Sequence, residues 1–495
     1  MKKVAVIPWG ENFLKKVAEE IFDRHFLPND PLALHQVTVL IPHRRGAVYL
    51  RNYLFQLIGT GGNKPFLPPK IFAIEDFIEE VAVKLEDPPR HPLSPPEQAW
   101  ILFKIVQENS TYGRVATSWD RFFPWGIRLA ALLEEIDREL AVPHDIPYPE
   151  DVPREARTLL EGLEGIYSAF DMQLRERGFT TKGKRLRLVA ERIAEAPIAK
   201  GPYYLAGFYA LTGAEQKVFR HLFSQGARIL WHADPEQLPP LYRRWKEDWG
   251  LEMEIVGESS PCPKLHFHEA YDLHAELHQV KQILPKGFQR PDQCALVLPD
   301  PSALVPTLYS LPPGMPVNIS IGFPLERTAL FSLIEQLMRL QEGRDEQGAY
   351  YHQDYLTILR HPYLRRLPTP SGKEGRIILH LLEEKIRRYG KPYLREGELV
   401  ELLSISENPD RDKNFLAAEG LDLEEAKGFV KELHHHLLAP WCELQTPMEL
   451  ADALRKAVRF LFSPFLGRED FLLGYPLEGE FIYTLEAVSY THLRA

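Results

Sequence analysis

The loop after the first apolar run carries the residues that come nearest to a phosphate-binding loop. In the register Gly-x-x-x-x-Gly-Lys-Ser/Thr, Gly10 matches the first glycine and Lys16 matches the lysine. Lys15 replaces the second glycine, and Val17 replaces the hydroxyl that would bind Mg²⁺. Glu11 adds a carboxylate where an anion would lie against a helix N-terminus. The sequence therefore predicts a degenerate nucleotide loop, in which Lys16 is a helix-surface lysine.

The acidic half of a nucleotide-hydrolysing site is also missing. Such a site needs carboxylates at the end of a sheet strand, where they hold Mg²⁺ and orient the attacking water. The strand expected here ends in Gly207-Phe208. The nearest carboxylate, Glu215, follows a Thr-Gly turn at the start of a predicted helix, where the helix dipole favours a negative charge. These two independent losses predict that ATP turnover is absent.

Three groups of cations are candidates for contact with nucleic acid. The first follows the second predicted strand, the second starts a helix, and the third combines arginines with a tyrosine. Each group could equally be a solvated basic surface, and the net charge of −10 argues against binding by bulk electrostatics. The candidates are Arg44, Arg45 and Arg51; Lys182, Lys184, Arg185 and Arg187; and Arg360, Arg365 and Arg366 with Tyr363.

Histidines and cysteines do not form a recognisable metal or disulfide pattern. Neighbouring residues on a helix point about 100° apart, so the run His434–His436 cannot converge on one ion and is expected on a solvated helix face. His266 and His268 alternate on a predicted strand without a third ligand. Three widely spaced cysteines make a disulfide framework improbable. We expect no metal site in this chain.

Hydrophobic periodicity predicts an α/β sheet with helical insertions. Short apolar runs alternate with helical spacing, which is typical of parallel sheets. Strands are expected at Val4–Ile7, Gln36–Ile41, Lys70–Ile74, Tyr203–Phe208 and Arg228–His232, and in a second sheet at Lys264–His268, Ala295–Pro299 and Pro316–Ile321. The predicted domains are 1–90 and 199–260 for a first α/β domain, 91–198 for its helical insertion, 261–344 for a second α/β domain, 345–488 for an incomplete second insertion, and 489–495 for a non-native tail.

The location expected from the sequence is cytoplasmic. No stretch approaches the ~20 apolar residues that a membrane helix needs. The apolar run after Met1 is too short for a secretory signal and predicts a buried strand instead. A membrane partner is therefore not expected.

Six segments, in this order and spacing, resemble AddB-type helicase–nuclease subunits of double-strand-break repair, which are similar to superfamily 1 helicases. In "HADPEQL", Asp234 and Gln237 keep the register of the helicase Gly-Asp-x-x-Gln motif, with Ala233 replacing the glycine. The alternative is a simple turn that Asp234 caps and Pro235 opens. The six segments are "VTVLIPHRRGAVYLRNYL" (Val37–Leu54), "KIFAIEDFIEEVA" (Lys70–Ala82), "YYLAGFYALTGAEQKVFRHL" (Tyr203–Leu222), "HADPEQL" (His232–Leu238), "NISIGFPLERTALFSLIEQLMRL" (Asn318–Leu340) and "YHQDYLTILRHPYL" (Tyr351–Leu364).

The resemblance implies two RecA-like motor domains, each with an all-α insertion, that together form a DNA-binding scaffold beside an active AddA-type helicase–nuclease subunit. The family's exonuclease of the PD-(D/E)XK class, with its Mg²⁺ and iron–sulfur cluster, lies at the C-terminal end of full-length relatives. We expect this chain to be an N-terminal fragment that lacks it and needs no cofactor. Two alternatives stay open: an active ATP-dependent helicase with an unorthodox loop, and a module that binds only proteins.

Overall fold

A computed structural model of the chain has an α/β architecture built on a six-stranded parallel sheet. The chain divides into two compact units, Met1–Leu265 and His266–Ala495. The structure describes residues 3–59, 66–109, 116–147, 152–258, 264–287, 294–312, 315, 317–405, 409–442 and 444–465. The end of the predicted second insertion (466–488), the predicted tail at 489–495 and Cys262 lie outside these residues.

The sheet of the first unit has the order β3-β2-β6-β7-β1-β8, and all its neighbours are parallel. Its central strands are runs of apolar residues because helices cover both faces of the sheet, whereas the edge strand β8 (Glu252–Ile255) is partly exposed. The strands of the chain are β1 (Lys3–Ile7), β2 (Thr38–Ile41), β3 (Lys70–Ala73), β4 (His91–Pro92), β5 (Phe179–Thr180), β6 (Tyr203–Ala206), β7 (Arg228–His232), β8 (Glu252–Ile255), β9 (Tyr350–Tyr351) and β10 (Tyr393–Leu394).

Alternate side chains of β1 enter two separate cores. Ala5 and Ile7 of β1 pack with α1 and α2, whereas Val4 and Val6 pack with the helices of the opposite face, α3, α8, α9 and α10. The helices of the first unit are α1 (Phe13–His25), α2 (Arg44–Gly59), α3 (Ile74–Leu85), α4 (Pro95–Glu108), α5 (Trp119–Arg138), α6 (Arg154–Glu161), α7 (Leu163–Glu176), α8 (Lys182–Arg192), α9 (Gly213–Ser224) and α10 (Pro240–Asp248).

All five strands predicted for the first sheet form, and the structure adds a sixth. β8 pairs with β1 in the register Val4↔Met253, and the preceding helix α10 was also not predicted. The segment between β3 and β6 is mainly helical, with a core of its own, as the periodicity indicates. Within this segment, Arg154–Glu161 and Leu163–Glu176 are two separate helices, because the helical run is interrupted at Gly162.

The second parallel sheet was predicted wrongly for the residues that the structure describes. None of the described residues in 264–268, 295–299 and 317–321 belongs to a strand. The apolar side chains of these runs lie in solvent: Leu265 is 71% exposed, Phe267 90% and Val297 82%. A parallel strand needs at least one neighbouring strand to bond its backbone and other elements to cover its apolar side chains, and the described chain supplies neither to these runs.

The second unit is instead mainly helical. Its largest core joins α13, α14, α16 and the helices after residue 420, and a two-stranded antiparallel pair, β9 and β10, lies beside it. Its helices are α11 (Leu273–Gly287), α12 (Leu304–Ser310), α13 (Ala329–Glu342), α14 (His352–Leu359), α15 (Pro362–Arg365), α16 (Arg376–Tyr389), α17 (Glu396–Leu402), α18 (Pro409–Ala418), α19 (Leu423–Leu433), a π-helix (His434–Leu438) and α20 (Pro447–Phe462).

Short 3₁₀ turns complete the secondary structure. They lie at Leu34–Gln36, Pro143–Asp145, Pro301–Ala303, Leu325–Arg327, Ala439–Trp441 and Ser463–Phe465. Among the helices in the described ranges, none has both the length and the apolar character required to cross a bilayer.

Candidate functional site

The carboxyl edge of the sheet brings together the loops in which a nucleotide would bind. In parallel α/β sheets, ligands bind at this edge, between strands whose connections leave in opposite directions. β7 lies between β1 and β6 in the sheet. The loop after β1 is therefore close to the residues that follow β7 and β6. That loop begins with a turn in which Glu11 N donates to Pro8 O at 3.0 Å.

The N-terminus of α1 is capped by its own chain. Asn12 is the N-cap, and its Oδ1 accepts from Lys15 N at 3.1 Å, while its Nδ2 donates to Tyr53 Oη at 2.9 Å. A phosphate bound at a helix N-terminus relies on free amides of the first turn. Here a side chain already uses one of them, as in an ordinary capped helix.

Aromatic rings fill the space beside this loop. The rings of Phe13 and His232 stack with centroids 5.1 Å apart and planes inclined by 22°. Gly207 has a φ of +77°, and a Cβ built on it would lie 2.9 Å from Phe13 Cε1. Burial lowers the pKa of His232, so the neutral ring is favoured against Phe13. The site therefore holds stacked rings where a phosphate cradle needs open backbone.

The lysine of the loop is held by carboxylates. Lys16 Nζ lies 3.2 Å from Glu19 and 3.7 Å from Glu11, and the hydrogen bond to Glu19 is the main reason why its pKa is raised. Val17 is completely buried in the core under α1. Lys15 is more than half exposed and lies 3.9 Å from Glu19. The ion pairs of Lys16 with Glu19 and Glu11 agree with the prediction that Lys16 is a helix-surface lysine.

The end of β6 carries no carboxylate ligand. Phe208 is buried, and its carbonyl oxygen accepts from Tyr242 Oη at 2.8 Å. Glu215 forms a capping box with Thr212: its carboxylate accepts from Thr212 N at 2.8 Å, and its own amide donates to Thr212 Oγ1. The interpretation of Glu215 as a first-turn helix residue is confirmed. Among the described residues, the end of β6 thus offers no carboxylate in the place where a magnesium nucleotide would need one.

Asp234 forms the turn that its sequence context indicates. Its Oδ1 accepts from Glu236 N at 2.9 Å, two residues ahead, and the preceding Ala233 donates its amide to Ile7 O. Gln237 is exposed. The local turn accounts for the hydrogen bond of Asp234 without any ligand.

The cations after β2 remain accessible. Arg44 is 81% exposed and holds Asp76 through Nε at 2.9 Å and Nη2 at 2.5 Å, which lowers the pKa of that carboxyl. Arg45 and Arg51 lie on the exposed surface of α2. This end of the sheet therefore presents guanidinium groups to solvent.

The cations of α8 are mostly internal, which corrects the expectation that this group faces nucleic acid. Arg185 is 4% exposed and clamps Glu86, with Nε and Nη2 each 3.0 Å from a carboxylate oxygen. Lys184 and Arg187 both contact the buried Asp137, at 3.5 and 3.0 Å. Of the four, only Lys182 is exposed.

The arginines of the third group lie together, but their tyrosine does not join them. Arg360 and Arg365 are about half exposed, and both contact Glu383. Arg366 is exposed. Tyr363 is 2% exposed and packs edge-to-face on Phe462, so its ring cannot stack on a base. The expected pairing of cations with an aromatic ring is thus corrected.

The histidines do not form a metal centre in the part of the chain that the structure describes, where no group of three His, Cys, Asp or Glu could hold an ion. His266 and His268 are exposed. His435 and His436 face solvent as expected, but His434 is buried and its Nε2 lies 2.8 Å from Tyr355 Oη. The solvated-face interpretation is wrong for His434.

Two exposed aromatics at the sheet edge were missed in the sequence. Trp9 Nε1 and Tyr209 Oη both donate to the carbonyl oxygen of His232, at 3.1 and 3.0 Å, although Trp9 is 59% and Tyr209 50% exposed. Each lies just after a predicted strand, and that position was the available signal.

No known protein-family model matches the chain, and no curated protein matches it either. The likeness to AddB-type subunits therefore rests on the sequence segments alone.

Proposed function

We propose that this chain is a helicase-like DNA-binding scaffold without ATPase activity, of the kind found in AddB-type subunits of double-strand-break repair complexes. The observation that carries the proposal is the Phe13–His232 ring stack beside Gly207. A magnesium nucleotide in this place would have to displace both rings. The proposal retains the cytoplasmic location expected from the sequence.

Charge at the same edge supports the proposal. The triphosphate of a nucleotide needs cations and free amides around it. Here Glu11 and Glu19 hold the ammonium of Lys16, and Asn12 caps the helix that would receive the phosphates. The residues do not fit a magnesium nucleotide, so no step of the proposed function passes through one.

The proposed work of the chain is to hold a DNA strand beside an AddA-type helicase–nuclease partner. Arg45, just after the carboxyl end of β2, and Arg51, about two turns further along α2, supply exposed positive charge. Contacts of this kind fix the position of a strand without reading its bases. Within the proposal, hydrolysis and cleavage belong to the partner and to the family's C-terminal region.

Nucleotide and DNA measurements together test this function. Isothermal titration calorimetry with Mg²⁺ and a non-hydrolysable ATP analogue should give no heat of binding, for the wild-type chain and for Lys16→Ala alike. Fluorescence anisotropy with labelled single-stranded DNA should show binding by both proteins. Tight binding of the analogue that Lys16→Ala abolishes would instead establish an active motor.

A charge-reversal pair tests the DNA contact. Arg45→Glu/Arg51→Glu should weaken single-stranded DNA binding and flatten its salt dependence, because two phosphate contacts are replaced by repulsion. The matched control is Arg175→Glu/Arg244→Glu, since these arginines are also exposed, at 67% and 76%. Equal affinity of the two double variants would exclude Arg45 and Arg51 from the interface.

A protein-only interaction module is the second candidate, and one surface favours it. Trp100 is 45% exposed, stands edge-on to Trp119 at 5.0 Å, and carries Lys104 Nζ 4.7 Å from its ring centroid. Exposed tryptophans are enriched at the centres of protein interfaces. A chain with this function alone would bind no single-stranded DNA at low salt, and Trp100→Ala would reduce capture of the AddA-type partner.

A further inference from the structure

Two neighbouring carboxylates of α16 collect arginines from several elements. Glu383 Oε1 accepts from Arg360 at 2.8 Å and from Arg387 at 2.9 Å, and Oε2 lies 3.3 Å from Arg365. These arginines lie after α14, at the end of α15 and in the last turn of α16. One carboxylate therefore joins three separate parts of the second unit.

Burial makes Glu383 an organiser of these side chains. Its side chain is 11% exposed, whereas those of Arg360, Arg365 and Arg387 are 42%, 46% and 59% exposed. A guanidinium carries five N–H donors in a rigid fork. Glu383 contacts Nε and Nη2 of Arg360 and one Nη2 each of Arg365 and Arg387, so each arginine keeps further N–H donors.

Glu384 forms a second centre next to the first. It pairs with Arg388 one turn further along α16 and lies 3.6 Å from Arg411 of α18. At the first centre alone, three guanidinium groups meet one carboxylate, so the group formed by Glu383 and its arginines carries two positive charges in excess. The whole chain carries a net charge of −10, so this surface opposes the charge of the rest of the molecule.

We infer that this arginine surface binds the phosphodiester backbone of nucleic acid. The inference rests on the proposed function and names the site on the second unit that would hold the strand. The arginine surface consists of Arg360, Arg365, Arg387, Arg388 and Arg411.

The chemistry of the surface selects phosphate as the ligand. A guanidinium fork matches two phosphate oxygens, and its charge strengthens both hydrogen bonds. Two centres side by side suit a row of phosphates better than one small anion. Tyr363 is buried in the core below, so this ring adds no base stacking, and contacts confined to the backbone carry no base preference.

The test is the salt dependence of DNA binding by the full chain. Arg360→Gln/Arg365→Gln/Arg387→Gln should flatten the slope of log K against log salt by about 2 between about 50 and 200 mM salt, at about 0.7 per lost contact on a single strand. The change should be the same for oligothymidine and for a mixed sequence.

The matched control removes three arginines that each pair with an acid four residues away. Arg24, Arg175 and Arg244 are 51%, 67% and 76% exposed. Their triple glutamine variant loses the same charge and should keep nearly the wild-type slope. If the first triple variant does not fold, Arg387→Gln alone replaces it, with an expected change of about 0.7 in the slope.

The outcomes separate this inference from the proposed function. Equal slopes for the two triple variants would overturn the arginine surface as a DNA site and leave the scaffold function standing. If the wild-type chain binds inorganic tripolyphosphate but no DNA, and the triple variant binds neither, the anion site holds and the DNA scaffold fails. If the chain binds phosphatidylserine vesicles more tightly than it binds oligothymidine or the mixed-sequence DNA, the assignment of the arginine surface to nucleic acid is overturned.

Discussion

Replacing Arg185 by methionine should destabilise the first unit strongly. The change removes the partner of Glu86, whose side chain is 1% exposed, and with it two hydrogen bonds of 3.0 Å. Breaking a buried ion pair from one side costs about 3–5 kcal/mol, because the remaining charge stays desolvated. That is a large fraction of the stability of about 5–15 kcal/mol that is typical of a folded protein.

The double variant Arg185→Met/Glu86→Leu should recover most of this loss. Apolar side chains of similar size can replace a buried pair at little or no cost. Arg90, whose carbonyl oxygen accepts from Arg185 at 2.7 Å, is exposed and can bond water instead. We expect the double variant to lie within about 1–2 kcal/mol of the wild type.

Urea unfolding followed by circular dichroism measures these differences, with Lys182→Met as the control from the same helix. Lys182 is exposed, so its replacement should change stability by less than about 0.5 kcal/mol. A loss of less than about 1 kcal/mol in unfolding free energy for Arg185→Met, as expected for an exposed ion pair, would contradict the buried pair. A flatter salt dependence of DNA binding by the folded Arg185→Met protein would also contradict it, because Arg185 would then contact phosphate.

Three further predictions concern single sites. Burial lowers the pKa of His434 from 6.5 to about 4, so the unfolded chain binds this proton more readily. Stability present above about pH 6.5 is then lost toward pH 4, by up to about 3 kcal/mol, and urea midpoints of His434→Phe should fall less steeply with acid. Gly207→Ala should cost about 1–2 kcal/mol, since φ is +77° and Phe13 blocks the new Cβ; thermal melts should show only part of this cost recovered with Phe13→Leu. Thr212→Ala should lower the unfolding free energy in urea by about 1 kcal/mol by removing the capping box with Glu215.

Only part of the structure of the nucleotide loop could be predicted from the local sequence. The sequence itself shows that Val17 has no hydroxyl and that no acidic pair follows β6. The ring stack of Phe13 on His232 could not be predicted from the sequence, because β1 and β7 are separated by more than two hundred residues and meet only in the sheet.

The cation groups show the limit of such reasoning. Arg45 and Arg185 both belong to basic groups near the start of a helix. Arg45 is exposed, whereas Arg185 is buried and pairs with Glu86. The difference is the position of Glu86, which α3 brings to Arg185 across ninety-nine residues. In the same way, Arg387 joins Arg360 only through Glu383, so no spacing along the chain identifies the arginine surface.

Sequence alone determined the first unit's five predicted strands, the helical character of its insertion and the residue types that stand where magnesium ligands would be, since each depends on residue type and period over a few neighbours. Tertiary structure alone decided strand order, which charges are buried, and the absence of a second sheet among the described residues. The apolar run at Phe267 has the composition of a strand but lies 90% exposed. A β-strand forms only when at least one neighbouring strand bonds to it, and the sequence of a single segment does not show whether the rest of the chain supplies that neighbour.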